Sequence, residues 1–123
     1  MPVKVIDASA LAAMLFGEPD AEDVVEEVRG CSLAAPTLLP FEIASVCLKK
    51  LRRHPARRAG LLKAFGLMAQ MGIAEARVDF REVLLLSERK RLTVYDAAYL
   101  WLARQLGADL VTLDKRLAAA AHV

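Results

Sequence analysis

Four acids in this chain stand in apolar sequence rather than on a charged face: Asp7 after Val5-Ile6, Glu42 between Phe41 and Ile43, Asp96 after Val94-Tyr95, and Asp114 after Leu113. An unpaired ionised carboxylate is expensive to bury, so each needs a compensating partner. Each also has an ordinary structural explanation. Asp7 and Asp114 precede helical patterns and suit an N-cap. Thr93-Val94-Tyr95-Asp96 fits a capping box. Glu42, with Ser45 and Lys49 at i+3 and i+7, fits a solvated stripe. Chemistry is suggested by the set. Carboxylates brought to one place repel one another unless divalent cations neutralise them, and hard oxygen donors select Mg²⁺ or Mn²⁺. One or two such ions can activate water and stabilise the leaving oxygen of a phosphodiester. Two hydroxyls are candidate supports: Ser9 orients Asp7, and strand alternation puts Thr112 on the face of Asp114. With two cysteines and two histidines, there is neither a disulfide framework nor a zinc set.

The elements that must carry these residues follow from periodicity and breakers. Val3 to Ile6 reads as a strand and Ser9 to Phe16 as a helix stopped by Gly17 and Pro19. Asp20 opens an acidic amphipathic helix that runs to Gly30, and Cys31 to Ala34 is a weak second strand. Thr37 to Arg53 is helical provided that Pro40 lies in its first turn. His54-Pro55 breaks it, and Ala56 to Met71 reads as one long helix. Ala74 to Val78 is a marginal strand, followed by helices Phe80 to Arg89 and Val94 to Leu106. The last strand is Leu110 to Leu113 and the last helix Lys115 to Ala121, after which only His122 and Val123 remain, an abbreviated sheet edge. Strands separated by helices, with apolar rather than alternating patterns, predict a small α/β domain in three layers (α/β/α) with a mainly parallel sheet. In such sheets ligands bind beyond the carboxyl ends of the strands, where Asp7 and Asp114 are expected.

The chain's 123 residues, 56% hydrophobic and 26% charged, suit one folded domain over residues 1–123 rather than a disordered segment. Apolar stretches such as Ala10 to Phe16 are too short to span a membrane, and the N-terminus lacks the pattern of a secretory signal, so a cytoplasmic protein is expected. Net charge is only +2, but its distribution is uneven. Glu18 to Glu27 holds six acids and no base, whereas Lys49 to Lys63 holds seven bases and no acid. Such a run is either a solvated helix face or a nucleic-acid surface, with Arg52, Arg53, Arg57 and Arg58 as candidate RNA contacts.

Val-Ile-Asp7-Ala-Ser9-Ala-Leu, Phe-Glu42-Ile-Ala-Ser-Val, Val-Tyr-Asp96-Ala-Ala-Tyr-Leu-Trp-Leu-Ala and Leu-Val-Thr112-Leu-Asp114-Lys-Arg-Leu together resemble the PIN domain over nearly the whole chain. The small stand-alone form is similar to the VapC-type toxins of prokaryotic toxin–antitoxin pairs. The resemblance implies a Mg²⁺-dependent endoribonuclease that leaves a 5′-phosphate and a 3′-hydroxyl. Asp7, Asp96 and Asp114 would then bind the metal, and Glu42 would hold a second ion or orient water. It also implies an RNA substrate and a small antitoxin that offers Arg or Lys to the acidic rim. Apolar side chains in excess of what one small sheet covers, Phe65, Leu67, Met68 and Met71 among them, suggest a homodimer. A PIN-like module that holds RNA or a partner without cutting is the main alternative. A phosphorelay receiver or a haloacid-dehalogenase-like phosphatase would want a second acid next to Asp7, where Ala8 and Ser9 stand instead.

Overall fold

Val3–Ile6 (β1) lies inside a parallel sheet and hydrogen-bonds to two strands that are remote from each other in sequence, Ser32–Pro36 (β2) and Asp109–Val111 (β4). A short strand at Ala74–Ala76 (β3) pairs with β2, so the order is β3-β2-β1-β4. This is a computed structural model, which describes residues 1–122. Helices Ala8–Phe16 (α1) and Ala21–Val28 (α2) connect β1 to β2, and Leu39–Arg53 (α3) and Arg58–Gly66 (α4) connect β2 to β3. Phe80–Lys90 (α5) and Val94–Leu106 (α6) carry the chain back past β1 to β4, and Lys115–Ala121 (α7) follows.

The order reverses between β1 and β4, since the chain first steps outward from β1 on one side and then returns to its other side. Successive crossovers of one hand place the first helices on one face of the sheet and α6 on the other. Thus α1 packs on α3 and α4, while α6 packs on β1, β2 and β4, giving the expected three layers. Strands covered on both faces explain why β1 and β2 read as apolar runs rather than alternating ones. Val5, Ile6, Leu11, Leu39, Ile43, Tyr99, Leu100 and Leu117 are fully buried between the layers.

Several boundaries differ from expectation. Pro40 does sit in the first turn of α3, where its missing N–H costs nothing. The expected single helix from Ala56 to Met71 is instead a 3₁₀ turn at Pro55–Arg57, then α4, then a second 3₁₀ turn at Leu67–Gln70. Of that segment's side chains only Leu61 is fully buried within α4, so little tertiary packing enforces regular helix through Gly60 and Gly66. Phe65, Met68 and Met71 are packed against the core rather than displayed. Leu67 of that set is exposed, as are other large apolar side chains, Phe41, Phe80, Leu84 and Tyr95 among them. β4 ends at Val111, two residues before Leu113, because Thr112 turns inward to a carboxylate. Both cysteines are free. No strand follows α7 among the described residues, and Val123 lies outside them.

Candidate active site

Asp7 is the N-cap of α1 and the residue directly after β1. It is buried, with a relative exposure of 4%, and both its oxygens are in use. Oδ1 accepts from Ala10 N at 3.0 Å and from Ser9 Oγ at 2.7 Å, and Oδ2 accepts from Thr112 Oγ1. A carboxylate has about four lone-pair directions, so three donors leave one open.

Ser9 and Thr112 do more than brace Asp7. Each hydroxyl donates to that carboxylate and accepts a backbone N–H from the turn after β4: Leu113 N to Ser9 Oγ at 3.0 Å, and Asp114 N to Thr112 Oγ1 at 3.0 Å. The backbone adds Asp7 N to Val111 O at 3.1 Å. Together they clip the start of α1 to the turn that presents Asp114. Thr112 therefore reaches the site through a turn, not through the strand alternation expected from the sequence, because β4 has already ended. Asp114 caps α7, with Oδ1 accepting from Leu117 N at 2.9 Å.

The other two acids come from helix starts on opposite faces of the sheet. Glu42 is in the first turn of α3 and Asp96 in the first turn of α6, where Thr93 caps the helix by accepting from Asp96 N at 3.0 Å. Tyr99, one turn further along α6, donates its hydroxyl to Glu42 Oε1 at 2.6 Å and so ties the two faces together. Tyr99 carries no charge, so nothing in its type marks it as part of an acidic site. The available signal was a tyrosine three residues after Asp96 in a nearly all-apolar helix, where a buried hydroxyl must find an acceptor.

Asp7, Glu42, Asp96 and Asp114 thus gather around the starts of α1, α3, α6 and α7, whose positive ends favour anions. Capping and clustering are not rival explanations here, since the same caps deliver the charges. Burial pushes the carboxyls of Asp7, Glu42 and Asp96 above their ordinary range, and the neighbouring carboxylates push further in the same direction. Asp114 acts on Asp7, Asp96 and Asp7 act on Glu42, and Asp114 and Asp7 act on Asp96. The hydrogen bonds from Thr112, Ala10 and Ser9 pull Asp7 back down, as Tyr99 does for Glu42 and Thr93 for Asp96. Burial and the bond to Glu42 drive the Tyr99 phenol well above its ordinary value, so it stays a donor. The donor set is all oxygen and mutually repulsive, which fits a hard divalent cation. Among the described residues no three of these groups already form a closed ligand cage; they stand within electrostatic reach of one another.

The four arginines of the basic run, Arg52, Arg53, Arg57 and Arg58, are all exposed. Arg52 and Arg53 end α3, Arg57 is in the 3₁₀ turn and Arg58 starts α4.

The family model described as PIN domain matches residues 4–123. Ribonuclease VapC3 of Pyrobaculum aerophilum is 32% identical over 122 aligned residues, covering 93% of this chain and 91% of that protein. Ribonuclease VapC9 of Mycobacterium tuberculosis is 31% identical over 113 aligned residues, covering 92% and 87%. The crystal structure of PAE2754 from Pyrobaculum aerophilum superposes with a TM-score of 0.77 at 25% identity, covering 97% of this chain and 84% of that one.

Proposed function

This chain belongs to the PIN domain family, and on that premise we propose that it is a Mg²⁺-dependent endoribonuclease acting as the toxin of a toxin–antitoxin pair. The observation that carries the reading is the convergence of four carboxylates at the reversal point of the sheet, where burial and neighbouring carboxylates raise the proton affinity of Asp7, Glu42 and Asp96. The names of its relatives, ribonucleases, supply the class of reaction.

Asp7, Asp96 and Asp114 are the residues that would hold the metal, with Mn²⁺ as a substitute for Mg²⁺. Such an ion would supply charge neutralisation on the attacked phosphodiester and make the attacking water easier to ionise. The chain's own residues do the rest. Asp7 is fixed by three donors and keeps one lone-pair direction free. Asp114 spends Oδ1 on its cap. Glu42 gives Oε1 to Tyr99 and is left to orient a water or hold a second ion with Oε2. Ser9 and Thr112 keep Asp7 and Asp114 in fixed relation. The products would be a 5′-phosphate and a 3′-hydroxyl.

No helix among the described residues is long and apolar enough to cross a membrane. The partners we propose are RNA, a second copy of the chain, and a small antitoxin placing Arg or Lys in the carboxylate rim, where a charge-assisted bond replaces the metal's role. Purified chain incubated with total RNA should cut it with Mg²⁺ and stop with chelator. Cleavage that ignores chelator would overturn the metal assignment, and RNA binding with no cleavage under either condition would make the chain a binding module. Co-expression with the neighbouring open reading frame should relieve growth arrest and copurify the inhibitor; a chain harmless by itself would remove the toxin reading only.

A further inference from the structure

The basic run divides at the end of α3. Glu42, Val46, Lys49 and Arg53 follow one another at i, i+4, i+7 and i+11, so the helix face that presents Glu42 to the acidic site presents two cations further along. At 1.5 Å per residue they lie about 10 and 16 Å from Glu42 along the axis. Lys49 and Arg53 also line a groove of about 600 Å³ whose other walls include Ser9 and Leu113, both part of the clip that holds Asp7 to the β4–α7 turn. Arg57 instead lines a separate hollow with Leu15, Phe16 and Leu61.

The groove's chemistry is two-sided. Lys50 is committed: its Nζ lies 3.7 Å from Glu18 Oε1 and 5.4 Å from the centre of the Phe16 ring. Among the described residues neither Lys49 nor Arg53 forms an ion pair. The opposite bank carries Glu18 and the exposed Asp20, and the floor is apolar, with Ala8, Ala12 and Val46. A polyanion can follow only the α3 bank. Two cations one helical turn apart are separated by about 6 Å, comparable to neighbouring phosphates in an extended strand.

We infer that this groove is the track for single-stranded RNA on one side of the cleaved bond, with Lys49 and Arg53 contacting successive phosphates. The acidic bank turns the sugars and bases toward the α1–α2 turn, and the apolar floor takes a base face. This inference rests on the ribonuclease reading and adds the substrate's path to it. Because both cations act on the backbone, the contacts are indifferent to sequence.

The test compares Lys49→Gln/Arg53→Gln with Arg57→Gln/Arg58→Gln, two pairs with the same change of charge. Binding of a short, unstructured, fluorescein-labelled RNA is followed by anisotropy in an Asp96→Asn background, and cleavage is followed without that background change. The groove pair should raise Kd on the order of tenfold and lower the slope of log K against log salt by about 1.4, two contacts at 0.7 each. In cleavage it should raise KM by a similar factor with kcat within about twofold, as expected when uniform binding is lost. The Arg57/Arg58 pair should change both by a factor of a few. Equal losses for the two pairs, or a groove pair with an unchanged slope, would overturn the track. Absence of cleavage by the unsubstituted chain would instead count against the ribonuclease reading, and the binding arm would still decide the groove.

Discussion

The carboxylate rim and the cationic end of α3 are joined by the helix face that carries Glu42, Lys49 and Arg53, and they are built in opposite ways. At the rim three of the four carboxylates are tied down: Asp7 by three donors, Asp114 by its cap, Glu42 by Tyr99 across the sheet. Among the described residues, Lys50 alone of the basic stretch forms an ion pair, and Lys49, Arg52, Arg53, Arg57, Arg58 and Lys63 are exposed. Under the proposed function, rim residues would hold an ion at fixed distances, and the fold removes their entropy in advance. Cations that would track a flexible strand lose nothing by moving. Precision is concentrated where charges repel, and freedom where they need only attract.

The largest effect expected from breaking this contrast is on the rim. Asp7→Asn and Asp96→Asn should each lower cleavage at least about 100-fold, the scale of a lost electrostatic stabiliser. The folded chain should survive, and Asp96→Asn should keep or slightly gain stability without metal, since it relieves repulsion and leaves the Thr93 cap on the backbone intact. Wild-type rates in either variant would remove that acid from the site.

Next in size is the coupling of metal to stability. Three rim carboxyls are raised above their unfolded values, so the folded chain without metal binds more protons than the unfolded one. Its stability from these groups is full below the ordinary carboxylate values, 3.8 for Asp and 4.5 for Glu, and is lost as pH rises through the raised values. Metal binding runs the other way, because the ligands must be ionised. At neutral pH, Mg²⁺ at 100 times its Kd should add about 2.7 kcal/mol. In denaturant melts the gain should vanish in acid and in Asp96→Asn. A gain that persists in acid would mean the ion binds elsewhere.

The rim was legible in sequence because each acid interrupts an apolar pattern that only the fold can justify. β1, α6 and the parallel sheet were legible for the same reason: their apolar runs have one physical outcome. Three features were not. Tyr99 was hidden because its role depends on Glu42, 57 residues away. The break of the Ala56–Met71 segment into 3₁₀ and α pieces was hidden because its periodicity is acceptable and the lack of burial that frees it is tertiary. The inward turn of Thr112 was hidden because a β-branched residue after Leu110-Val111 reads as strand until a buried carboxylate claims its hydroxyl.

Tyr99→Phe sharpens the comparison by loosening one rim residue without changing charge. One hydrogen bond is worth about 1 kcal/mol, so stability should fall by about that amount and kcat by about fivefold. A positioning role predicts that the half-saturating Mg²⁺ concentration rises while KM for RNA holds. If stability falls and both of those stay fixed, Tyr99 is only a strut between α3 and α6.

The smallest effect belongs to the one paired cation of the basic stretch. Lys50 and Glu18 form an ion pair at 3.7 Å with side chains 29% and 39% exposed. Exposed pairs typically contribute under 1 kcal/mol and are screened by salt. Lys50 also lies over the Phe16 ring, a contact worth about 0.5 kcal/mol at an exposed site. Lys50→Met keeps the aliphatic stem and removes the charge, so it should cost no more than about 1 kcal/mol in low salt and less in high salt. Thermal melts at the two salt concentrations read this directly. A larger, salt-independent loss would mean that Lys50 is a fixed part of the fold, and the contrast between a rigid rim and a loosely held cationic face would then begin one helical turn further along α3.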